Sequence, residues 1–322
     1  MPKVGPSLQK ILDVEEEKDP DLIKSFDINS KEGDVFICFI APYVGIKISP
    51  SHEVWASIGL SEEFGIESII ERVRESLRLG PNEGKKKIKR LYLLINSPGG
   101  IVASSYKVAK ALRRNFDEII VFVPHLAASG GTLMALSGNK IVMGTMSQLS
   151  PLDPSSQESS ALAVTRGFAS VSEYLTTVSE EDVPYSYKAI AQKFSAEKMD
   201  KAMSALELMK KYSRNILCLS GYKEAECDSI SELLVKGCLD HSEVIDYEMA
   251  EEIGLKVKRD SDYASLWEVF RKWLGEYVLA SADKHVIRYW INSGGNNDDK
   301  IKRDIDIKET KKKKGGNQIE KD

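Results

Sequence analysis

Two short glycine-containing segments hold the residue types that acyl-transfer chemistry needs: Asn96-Ser97-Pro98-Gly99-Gly100 and Ala127-Ala128-Ser129-Gly130-Gly131. A serine between small residues stands clear of its neighbours and lets a substrate backbone come close. Ser129 is therefore the candidate nucleophile. Attack on a carbonyl builds negative charge on its oxygen, and main-chain N–H groups aimed at that oxygen stabilise it. Gly99 and Gly130 are the candidate oxyanion hole. One Gly-Gly pair alone is an ordinary turn signal. Here two such pairs follow successive apolar runs, residues 91–95 and 119–123, which read as buried parallel strands. Ligands of open α/β sheets bind beyond the carboxyl ends of the strands, where both turns fall.

The residues around these turns resemble a known group. Ile95-Asn96-Ser97-Pro98-Gly99-Gly100 is similar to the oxyanion strand of Clp-type peptidases, and Ala128-Ser129-Gly130-Gly131 to the nucleophile turn of the signal peptide peptidase A branch. The longer string from Val123-Pro124-His125-Leu126 through Thr132-Leu133-Met134-Ala135-Leu136 resembles the serine dehydrogenase proteinase family. It continues with Lys140-Ile141-Val142-Met143 and Leu149-Ser150-Pro151-Leu152-Asp153-Pro154. The likeness runs over about residues 34–257. It implies an α/β fold of the Clp/crotonase type, a spiral of βαβ units with a C-terminal helical extension, and an active site between two layers of sheet.

A serine hydroxyl is a poor nucleophile until a base takes its proton. The chain has four histidines, His52, His125, His241 and His285. The resemblance implies the order Ser, Asp, His, with Asp153 as the orienting carboxylate and His241 as general base and then acid. A triad is defined by geometry and not by chain order. Ser150 stands where a glycine is more usual in that motif, and Ser242 follows His241 where an aspartate is common. His125 reads as a buttress of the turn, and His52 and His285 lie in no supporting motif. The signal peptide peptidase A likeness implies a second scheme, a Ser-Lys dyad, for which Lys188 and Lys193 are the candidate bases; a lysine serves this way only when desolvated. Two further readings stay open: acyl-CoA chemistry on the related crotonase fold, and a non-catalytic oligomeric scaffold.

Composition limits the other classes. The chain has 322 residues, 42% hydrophobic and 29% charged, with a net charge of −4, which calls for neither nucleic acid nor an anionic membrane as partner. The expected partners are a peptide or unfolded protein substrate and further copies of the chain as a homo-oligomer. The N-terminal residues show no secretory core, and the most apolar stretch, 35–46, is too short to span a bilayer, so a cytoplasmic location is expected. Cys38, Cys218, Cys227 and Cys238 form no C-x-x-C pair, and the expectation is reduced, structural thiols with no metal. No G-x-G-x-x-G is present, and Gly80-Pro81-Asn82-Glu83-Gly84-Lys85 departs from a phosphate loop in spacing and in its next residue, so no cofactor is expected.

The elements that must position these residues follow from periodicity. Residues 35–41, 91–95, 119–123 and 140–143 read as strands, and 61–77, 102–116 and 130–136 as helices. Beyond Pro154 the pattern becomes almost continuously helical over 159–178 and 184–218, with a further helix at 243–253 and a strand at 256–257. The expected organisation is a polar arm over 1–33 and a peptidase domain over 34–258 with its helical extension at about 159–220. C-terminal helices over 259–291 and a disordered charged tail over 292–322 complete it.

Overall fold

Val35-Phe36-Ile37-Cys38-Phe39-Ile40 is buried at every position, which requires a strand covered on both faces. Alternate residues diverge accordingly. Val35, Ile37 and Phe39 enter one apolar core with Leu91, Leu93, Ile119 and Val121, while Phe36, Cys38 and Ile40 enter a second with Leu94, Phe122 and Val142. The computed structural model describes residues 12–41, 46–49, 52–54, 58–79, 86–154, 160–280 and 285–294.

In chain order the elements are β1 (Leu12–Glu16), α1 (Pro20–Asn29), β2 (Val35–Ile40), β3 (Ile46–Ser49), β4 (His52–Val54), α2 (Leu60–Ser76) and β5 (Ile88–Asn96). There follow α3 (Val102–Asn115), β6 (Phe116–Val123), β7 (Leu126–Ala127), α4 (Gly130–Ala135), β8 (Lys140–Met143) and β9 (Gln148–Leu149). The chain then runs through α5 (Ala161–Thr177), α6 (Tyr185–Ala191), α7 (Ala196–Leu219), α8 (Glu224–Glu232), α9 (Tyr247–Ile253), β10 (Val257–Arg259), α10 (Ala264–Ala280) and β11 (His285–Ile291).

The main sheet has seven strands in the order β1-β11-β2-β5-β6-β8-β10. From β2 to β10 all neighbours are parallel, and β11 lies antiparallel to β2 and parallel to β1. Helices α2 and α3 with the helical extension cover one face, and α1 and α10 the other. This is the α/β arrangement implied by the Clp/crotonase resemblance. No helix among the described residues is long and apolar enough to cross a membrane.

Several expectations are corrected. Residues 259–291 are not all helical: β11 completes the sheet, with Val286 and Trp290 in one core and Ile287 and Tyr289 in the other. The first 33 residues are not wholly an arm, since β1 pairs with β11, and Leu22 and Phe26 of α1 are buried. Residues 184–218 form two helices, because Ser195 caps a new start by accepting the Lys198 N–H at 3.1 Å. The reduced-thiol expectation fails for Cys218 and Cys227, which form a disulfide across the α7–α8 turn with Cα atoms 5.8 Å apart. Cys38 and Cys238 are buried free thiols. Of the tail, residues 295–322 lie outside the described residues.

Candidate active site

Below the carboxyl ends of β5 and β6 the chain makes a second, smaller layer. Ser97 bridges Ala127, β7 pairs with β9 in parallel, Ile58 bridges Gly100, and Leu149 bridges Ile245 in the antiparallel sense. The two glycine turns dock through this layer. Ser97 N–H donates to Leu126 O and Ala128 N–H donates to Ser97 O, each at 2.9 Å.

Ser129 caps the start of α4 at φ 49° and ψ −113°. Positive φ is uncommon for a residue with a Cβ and costs on the order of 1–3 kcal/mol. The surroundings hold it there. Its N–H donates to Ser150 Oγ at 2.7 Å, and Gly131 N–H closes the turn on Ala128 O at 2.7 Å. Thr132 Oγ1 lies 2.7 Å from Ala127 O and 3.0 Å from Ser150 O, and accepts the Ser150 N–H at 3.0 Å. The Ser129 turn and the segment that leads to Asp153 are thus bonded directly.

Gly99 packs against this turn at φ +107°. A Cβ there would lie 2.7 Å from Ala128 O, 2.8 Å from Ser129 Cβ and 2.9 Å from Gly130 N, so only glycine permits the approach. Gly99, Ser129 and Gly130 are brought together as the sequence predicts. The Gly130 N–H has no acceptor among the described residues, as befits a first-turn amide. The Gly99 N–H donates to Ser97 Oγ at 3.1 Å.

Asp153 is 1% exposed. Its Oδ1 accepts the Leu162 N–H at 3.0 Å, while Oδ2 is buried with no partner among the described residues. His241 sits half-buried in the turn after α8, and its Nδ1 is likewise buried and unpartnered among them. Their segments adjoin: Leu149 and Ile245 exchange hydrogen bonds of 2.9 and 3.0 Å, and Leu152 N–H donates to Leu234 O at 2.8 Å. Asp153 lies four residues after Leu149, and His241 lies four before Ile245. No hydrogen bond joins His241 to Ser129 or to Asp153, so the structure adjoins the segments that carry the two residues and closes no triad. Asp240, beside His241, is held below the usual carboxylate range by the Ser242 hydroxyl, then by the Ser242 N–H, with His241 adding to it.

Lys188 on α6 and Lys193 just beyond it are exposed, and His125 is exposed at the end of β6. Sequence reasoning noted Ser150 only as a departure from glycine; the bond it makes to the Ser129 amide requires the register of β7 with β9. Arg166, whose contacts are described below, carried no signal, being one polar residue on an amphipathic helix.

Residues 63–278 match the family of ClpP-like, SDH-type serine proteinases. The chain belongs to that family. Among curated proteins it is similar to "Uncharacterized protein MJ0137" of Methanocaldococcus jannaschii, with 28% identity over 210 residues, 63% of this chain and 64% of that one. The "Uncharacterized protein MJ1495" of the same organism is 26% identical over 187 residues, 58% of this chain and 56% of that one. The chain thus spans about three-fifths of the length of these relatives. Among solved structures, a variant of the 1510-N membrane-bound stomatin-specific protease in complex with a substrate peptide shows 16% identity and a TM-score of 0.38, covering 64% of this chain and 73% of that one. The "putative enoyl-CoA hydratase from Streptomyces coelicolor A3(2)" shows 12% identity and a TM-score of 0.35, covering 79% of this chain and 80% of that one.

Proposed function

We propose that this member of a serine proteinase family cleaves peptide bonds through an acyl-enzyme on Ser129. His241 takes the hydroxyl proton as general base and returns it to the leaving amine as general acid, and Asp153 orients the imidazole. The Gly130 amide and the Gly99 amide, the latter exchanging its Ser97 Oγ partner for the substrate, hold the oxyanion. The single observation that carries the reading is the Ser129 turn itself: a buried strand end, a strained serine, and a free N–H on the next residue, with Gly99 pressed against all three. Two unpartnered buried atoms, Asp153 Oδ2 and His241 Nδ1, support the choice of acid and base, because they are the pair that a triad joins and leaving them apart is costly. Catalytic hydrogen bonds are often long in an empty site and tighten around substrate.

The Ser-Lys alternative needs a desolvated lysine, and both of its candidates, Lys188 and Lys193, face solvent. The substrate is a peptide or an unfolded protein, and the chain works as a homo-oligomer. Exposed Tyr185 and Ile190 on α6 and Met203 on α7 offer apolar surface for that assembly.

A fluorophosphonate probe with peptide mapping tests the mechanism. Label on Ser129, lost in His241→Ala and Asp153→Asn and kept in Lys188→Met and Lys193→Met, is the expected result. Label on another serine, or loss confined to a lysine variant, overturns it.

A further inference from the structure

The segment that carries His241 begins where a helix runs out of internal partners. Helix α8 passes into a π-helical turn, Leu233–Gly237, and the last carbonyls of such an end find no donor within the helix. Arg166, from the middle of α5, supplies the donors. Its Nη1 donates to Leu239 O at 2.9 Å, and its Nη2 donates to Cys238 O at 2.8 Å and to Lys236 O at 3.2 Å. Three carbonyls within four residues converge on one guanidinium, two residues before His241. A planar fork fits that convergence and a lysine ammonium does not, while a cation is the favoured sign at a helix carboxyl end.

Downstream, the antiparallel bridge between Leu149 and Ile245 fixes the same segment. The hydrogen bonds made between these anchors are local: Leu239 N–H to the Glu243 carboxylate, and the Ser242 hydroxyl and N–H to Asp240. Lys236 pairs with Glu207 and Glu232, but these are solvent-facing ion pairs that hold little. His241 is therefore suspended between one side chain and one backbone bridge.

We propose that Arg166 is a positioning residue that sets the placement of the His241 imidazole from the helical extension. This rests on His241 being the base. A displacement of about 1 Å at a reacting group is worth up to roughly 100-fold in rate. The Arg166→Ala variant, folded by circular dichroism, is expected to label Ser129 with a fluorophosphonate about 10- to 100-fold more slowly. Arg166→Lys should stay slow, and methylguanidinium at millimolar concentration should restore part of the Arg166→Ala rate. Guanidinium compounds denature only at molar concentration and never stabilise a fold, so a variant that is merely less stable would gain no rate from the millimolar addition.

Labelling of Arg166→Ala at the wild-type rate, full recovery in Arg166→Lys, or no response to methylguanidinium overturns the proposal. Should Arg166→Ala fail to fold, Arg166→Gln with the same methylguanidinium addition takes its place, and its rates support or overturn the proposal in the same way. Wild-type and His241→Ala proteins run alongside separate the two readings. If His241→Ala labels normally, the triad falls and this inference with it. If His241→Ala is silent while Arg166→Ala is normal, only the role of Arg166 falls.

Discussion

Ser150 Oγ accepts the main-chain hydrogen of Ser129 at 2.7 Å, so one buried hydroxyl spans the Ser129 turn and the segment that carries Asp153. Its removal takes the acceptor from a part-buried amide on a backbone already at positive φ. Ser150→Ala should lower stability by about 1–3 kcal/mol and slow fluorophosphonate labelling of Ser129 by roughly tenfold. Thermal melts and timed labelling of the same preparation measure both, and an unaltered labelling rate would show that the turn holds its shape alone.

Ser129 stores backbone strain because it needs a Cβ to carry its hydroxyl. Ser129→Ala should lose acyl transfer by on the order of 10³-fold or more while keeping the strain. Ser129→Gly should be equally inactive yet about 1 kcal/mol more stable than Ser129→Ala, since glycine accepts φ 49° without penalty. Chemical denaturation of the pair gives the difference directly.

The two glycines of the first turn should separate by phenotype. A Cβ at Gly100 would sit 2.1 Å from the main-chain nitrogen of Ile58, so Gly100→Ala should destabilise by about 1–3 kcal/mol through a backbone clash. A Cβ at Gly99 would press on Ser129 Cβ and Gly130 N, so Gly99→Ala should strip probe labelling first. A Gly99→Ala protein that labels normally would place the oxyanion elsewhere.

Burial pushes the Cys238 thiol up to about 11, with Glu243 adding to the rise and Arg166 opposing it, and burial raises Cys38 likewise. At neutral pH each thiol so raised keeps its proton and is a weak nucleophile. Iodoacetamide at neutral pH should therefore leave both unmodified in the folded protein. Modification of Cys238 should increase as pH climbs toward 11, read by mass spectrometry after tryptic digestion. Rapid reaction of Cys238 at neutral pH would show that the segment before His241 opens readily.

Strands buried on both faces were legible, because β2, β5, β6 and β8 each hold an unbroken apolar run, at 35–40, 91–95, 119–123 and 141–143. The close approach of Gly99 to Ser129 and Gly130 likewise depends on small residues visible in the string. The reach of the sheet was not legible. In β11, Arg288 and the aromatic Tyr289 and Trp290 follow a helix closely enough for its period to run on through them. Helix α8 is too polar to announce itself, with three of its nine residues glutamate. The pairing of Cys218 with Cys227 depends on a reversal of the chain that no cysteine spacing encodes. Asp153 and His241 came from resemblance, and the tie between the segments that carry them, the Leu149–Ile245 bridge, has no signal in the string.

The strand order also imposes an order in time. Leu12, near the start of the chain, finds its partner only in His285, and β11 must enter between β1 and β2 before the sheet is complete. During synthesis the first strand waits for nearly the whole chain, a contact of very long sequence separation and hence slow to form. Until then β2, apolar on both faces, is an open edge of the kind that recruits strands from other chains. Conditions that slow synthesis or truncate the product before β11 should therefore favour aggregation at this edge, while the Ser129 layer, whose last bridging residue is Ile245, precedes β11 in the chain.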